Sequence, residues 1–168
     1  MKARRGVPRR RSRQVALQVL YAVDLAEQGR SGSRLNPDDA FELVSDNFEL
    51  PEGARAFAKE LVNGIVLHRA ELDALIAAHA TNWRLSRMAA VDRNILRIGA
   101  YELVHTETPR QVVLDEAVEL ARRFGDDPSP AFVNGVLDAV ARAVGRGDDC
   151  RGNAEGGDSV DEVREEFQ

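Results

Sequence analysis

Proline recurs where helices would begin, and between those prolines apolar residues return every three or four positions. Asn36-Pro37-Asp38 places a good cap before a first-turn proline, and Leu50-Pro51-Glu52 repeats the pattern with a weaker cap. Thr108-Pro109-Arg110-Gln111 matches a capping box, and Ser129-Pro130 reads as another cap and first-turn proline. Gly29, Gly125 and Gly145 are candidate stops, because glycine enters the left-handed conformation without Cβ strain. The spacing predicts helices over about 12–28, 38–49, 86–105, 109–124 and 130–144. A longer helical stretch over about 52–80 is expected to bend near Gly64 or His68. No sustained period-two run rich in Val, Ile, Thr and aromatics occurs, so strands are not expected. Each apolar stripe needs a partner and only helices are available, which predicts an all-α bundle.

A chain of 168 residues fits one domain, or two small halves sharing a core. The longest apolar runs, Val19–Val23 and Ala74–Ala78, span five residues each, against about 20 for a membrane helix, so no membrane partner is expected. Gln18, Asp24 and Glu27 interrupt the apolar stretch after the basic start, which reads poorly as a signal peptide and predicts a cytoplasmic protein. Cys150 alone builds neither a disulfide framework nor a zinc site.

The net charge of −5 is unevenly distributed. Residues 1–13 carry seven positive side chains and no acid, whereas residues 145–168 carry eight acids against three arginines. The expected organisation is a disordered basic arm over 1–8, a helical domain over 9–144 and a disordered acidic tail over 145–168. A local basic segment on an acidic body suits phosphate contact, since such contact depends on local charge. Arg9, Arg10, Arg11 and Arg13 run directly into the first helix. They read equally as an RNA-binding arm or as a solvated tail.

Other candidates carry two readings each. Arg93 and Arg97, four apart, share a helix face and either extend a phosphate track or pair with Asp92 and Glu102. Phe132 is a core side chain or, if exposed, a stacking surface for a base. Trp83 is expected as a core anchor near a helix junction. His68 and His79 share a face, but about 16 Å apart along a helix they are too distant to share a metal. Asp126-Asp127 and Asp148-Asp149 read as solvated loop pairs rather than cation sites. No nucleophile-elbow, P-loop, zincin or dinucleotide-binding motif is present, and neither an enzyme nor a cofactor is expected.

Three stretches resemble the NusB family of bacterial transcription antitermination factors. They are Arg9–Arg13 with the helix continuing through 16–21; 82–88 with 91–98 and 100–103; and 115–121 with Phe124-Gly125 and 132–138. The tail 145–168 is longer and more acidic than the family needs. The resemblance implies about seven helices in two packed three-helix subdomains. It also implies binding of boxA-type single-stranded RNA in ribosomal RNA leaders with NusE, a small-subunit ribosomal protein, inside the antitermination complex of RNA polymerase. By position it carries RNA contact to Arg9, Arg10, Arg11, Arg13, Arg93, Arg97 and Phe132, and NusE contact to Tyr21 and Asp92. Some family members self-associate, which admits a homodimer. The same module precedes the catalytic domain of ribosomal RNA cytosine methyltransferases; residues 145–168 carry no G-x-G after a strand, so a methyltransferase is not expected. A DNA-binding regulator would need a basic recognition helix; here the positive charge sits at the start of the chain.

Overall fold

The computed structural model describes residues 6–29 and 34–145, with side chains from Arg9 onward. Lys2, Arg4 and Arg5, the acidic tail beyond Gly145, the Asp148-Asp149 pair and Cys150 lie outside the described residues. In chain order the helices are α1 (Gly6–Gln28), α2 (Pro37–Ser45), α3 (Glu52–Leu67), α4 (Arg69–His79), α5 (Ala90–His105), α6 (Arg110–Phe124) and α7 (Ser129–Ala143), with a 3-10 turn at Leu85–Arg87. No strand occurs among the described residues.

Local signals place most boundaries. Asn36 caps α2 by accepting from the Asp38 N–H at 3.0 Å, with Pro37 in the first turn. The long stretch breaks at His68, whose φ of −100° and ψ of 15° leave the helical region between α3 and α4. Three expectations fail. Helix α1 begins at Gly6 rather than near Ser12, so Arg9, Arg10 and Arg11 already lie within it. The Thr108–Gln111 capping box does not form: the Thr108 hydroxyl donates to Glu102 and the Gln111 amide to Asp115. Ser129 lies inside α7, where its Oγ accepts from the Asp126 N–H. Of the described glycines only Gly145 takes a positive φ, 68°, just past α7.

The first three helices pack on one another, and α5, α6 and α7 do the same with α4 laid across α5 and α7. Contacts of α1 and α3 with α5 join the halves, and one apolar cluster runs through both. Every residue of α5 from Arg93 to Leu103 is buried. A helix buried all round must find partners for its polar residues, and α5 carries Arg93, Asn94, Arg97 and Glu102 inside. Close helix approach occurs at two glycines. A Cβ on Gly64 would collide with the Tyr101 phenol, and one on Gly99 would lie 2.5 Å from Leu137 Cδ1. A glycine inside a helix costs stability against alanine, so from sequence Gly135 in the last helix is expected to permit close approach; in the structure it faces open space.

Candidate nucleic-acid interface

The first turns of α1 spread their arginines around the helix. Arg9 lies over the Phe57 ring, 4.8 Å from its centroid. Arg10 grips Glu116 of α6 through Nε and Nη2, at 3.0 and 2.8 Å, and this carboxylate raises the guanidinium pKa. Arg11 reaches the Glu49 carbonyl at 3.4 Å. All three are exposed.

Arg13 is different. It is 3% exposed and meets Glu102, itself fully buried, in a two-pronged pair at 2.8 and 2.7 Å. Thr108 adds a third bond to Glu102 at 3.3 Å. Arg93 and Arg97 are also buried, each 4% exposed. Arg93 binds Asp24 of α1 at 2.5 and 3.1 Å and donates to the Leu85 and Met88 carbonyls. Arg97 binds Asp73 of α4 at 2.7 and 2.9 Å. Burial alone would raise the Asp24 carboxyl pKa. The hydrogen bond and charge of Arg93, helped by Arg97 and Asn94, outweigh that and hold it below the usual carboxylate range. Arg13 and Arg93 therefore tie α1 to α5, and Arg97 ties α5 to α4, with their guanidiniums paired to carboxylates of neighbouring helices. The pairing reading of Arg93 and Arg97 is correct in kind, but the partners are Asp24 and Asp73 rather than Asp92 and Glu102.

Phe132 stands on the first turn of α7 and is half-buried. Trp83 packs edge-on against it, ring centroids 5.9 Å apart, and is 58% exposed rather than a core anchor. The two rings, with Arg87, Met88 and Pro128, line an apolar cleft of about 200 Å³. Asp92 lines the same cleft, with a buried Oδ1 that accepts no hydrogen bond among the described residues. Phe132 and Asp92, expected on RNA and protein faces respectively, thus share one cleft. Tyr21 is exposed on α1 and lies outside it. On the other side of the α7 first turn, Arg10, Arg122 and Asn134 line a shallow polar groove. The sequence reading missed Arg87 and Arg122. Arg87 stands inside the quoted 82–88 stretch, but which of its residues face outward depends on the 3-10 turn.

The described residues thus form an all-α domain with exposed arginines on the first turns of α1 and an aromatic cleft edged by Arg87, features that a nucleic-acid-binding helical domain would use. The NusB family model matches residues 10–142, and the chain belongs to the NusB family. It is 50% identical over 137 residues to the transcription antitermination protein NusB of Sorangium cellulosum, covering 81% of this chain and 93% of that protein. It is 42% identical to the protein of the same name from Myxococcus xanthus, covering 82% and 97%. Among solved structures, T. maritima NusB superposes with a TM-score of 0.70 at 31% identity, over 80% of this chain and 90% of the other. A crystal structure of antitermination factors NusB and NusE in complex with dsRNA gives 0.70 at 33% identity, over 82% and 98%.

Proposed function

We propose that this chain is a non-catalytic RNA-binding factor of transcription antitermination. It binds boxA-type single-stranded RNA in ribosomal RNA leaders together with NusE and sustains transcription of ribosomal RNA operons by RNA polymerase, in the cytoplasm. The observation that carries this reading is exposed Trp83 against half-buried Phe132, with Arg87 at the edge of their cleft. Unstacked bases stack on such rings, and cations nearby hold the backbone. Arg9, Arg10 and Arg11 supply further phosphate contacts, with Arg122 and Asn134 continuing the polar groove from Arg10. Arg13, Arg93 and Arg97 act from inside, by fixing the helices that present these groups.

NusE docks on the exposed α1 face that carries Tyr21 and Leu25; Asp92, in the Trp83–Phe132 cleft, lies off that face. A homodimer would use surface that RNA or NusE otherwise covers. The test is a titration with one boxA-like sequence as single strand and as duplex, with and without NusE. Preferential single-strand binding, strengthened by NusE, supports the reading; equal binding to duplex of any sequence overturns it.

A further inference from the structure

We propose that His68, Glu71 and His105 form a site for one divalent zinc-like transition-metal ion, at the joint where α3, α4 and α5 meet. Three separate elements supply the donors. His68 is the residue at the α3–α4 break, Glu71 lies in the first turn of α4, and His105 ends α5. The Glu71 carboxylate stands against both imidazoles, 3.2 Å from His68 Nδ1 and 3.5 Å from His105 Nε2. The rings stack with centroids 4.0 Å apart, and one donor atom from each residue lies within 4.8 Å of the others. His79, which the spacing placed too far from His68 to share a metal, bonds the Leu75 carbonyl.

The donor set fits the ion. Zinc bonds imidazole nitrogen and carboxylate oxygen at about 2.0–2.2 Å, so tetrahedral ligand atoms sit about 3.3–3.5 Å apart. The two histidine–carboxylate separations, 3.2 and 3.5 Å, lie within about 0.1 Å of that range. The two imidazole nitrogens close on each other by side-chain rotation, which the partial exposure of all three residues permits. Two imidazoles and one carboxylate favour zinc, nickel or copper over magnesium or calcium, which prefer oxygen alone. Three protein ligands leave the fourth position for water. Tyr101 walls the site, 5.2 Å from the His105 ring and 6.4 Å from that of His68. His105 also borders the cleft containing Arg9 and Phe57, so the ion would brace the helix joint beside the arginine face.

The test uses the full chain, stripped of metal and titrated with zinc and separately with magnesium by calorimetry and thermal melting. One zinc per chain and a raised melting temperature with zinc but not magnesium are expected. His105→Ala and Glu71→Gln, each checked for helical content by circular dichroism, should weaken zinc binding at least about tenfold. His79→Ala and Cys150→Ser should leave it unchanged. No zinc binding, or binding kept by His105→Ala but lost in Cys150→Ser, would overturn the proposal.

Discussion

Replacing Arg13 by alanine separates its two readings, as phosphate contact or as internal brace. Its guanidinium is the only cation meeting the fully buried Glu102 carboxylate among the described residues. Without it Glu102 keeps the Thr108 hydroxyl bond but sits in the core with an uncompensated charge. Breaking a buried pair this way costs about 3–5 kcal/mol, a large share of the roughly 5–15 kcal/mol that holds a domain together. For a domain of this size that lowers the melting temperature by about 10 °C or more. Replacing both residues, as Arg13→Met with Glu102→Leu, should recover much of the loss, because no charge is then stranded. Urea unfolding of the wild type, the Arg13→Ala variant and the Met/Leu double variant measures all three terms. If Arg13→Ala kept wild-type stability while losing RNA affinity and salt dependence, the brace would be refuted and Arg13 would belong to the RNA face.

Glycine substitutions should reverse the expectation from sequence: Gly135→Ala stabilises by about 0.5–1 kcal/mol in open space, whereas Gly99→Ala costs about 1–3 kcal/mol against Leu137, both read from thermal melts. The native Asp24 carboxyl is depressed below its unfolded value, so its stabilisation is present above about pH 4 and lost as pH falls through the native pKa; Asp24→Asn should flatten that part of the acid-denaturation curve. Trp83→Ala, at an exposed ring, should leave the melting temperature nearly unchanged and weaken single-stranded RNA by about 1–3 kcal/mol with little change in salt slope, as filter binding would report. A wild-type affinity would remove Trp83 from the interface.

The all-α architecture was legible because helical period and proline punctuation act locally. The apolar stripes Val15–Val23, Phe57–Ile65 and Val133–Val140 all face the core. Burial of charge was not legible. Arg9, Arg10, Arg11 and Arg13 look alike in sequence, yet the fourth turns inward because Glu102, 89 residues later, waits in the core. Arg93 and Arg97 depend in the same way on Asp24 and Asp73, partners from two other helices. Gly135 misled because glycine in a helix signals close packing only when a neighbour is there, and the neighbours stand at Gly64 and Gly99. Trp83 misled because a large ring is usually buried, whereas here a short 3-10 connection leaves it on the surface against Phe132.

The exposed arginines at the start of α1 hold RNA phosphates, while buried Arg13 of α1 and Arg93 and Arg97 of α5 hold the fold. The most direct measurement is the affinity of the Arg9→Ala/Arg10→Ala/Arg11→Ala variant for boxA-like single-stranded RNA at several salt concentrations. Three phosphate contacts at about −0.7 each give a slope of log affinity against log salt near −2, and the variant should lose that part at wild-type folded content. It should weaken unrelated RNA sequences to the same degree, since phosphate contacts position the strand and bases specify it. A triple variant that binds with wild-type affinity and slope would contradict the account.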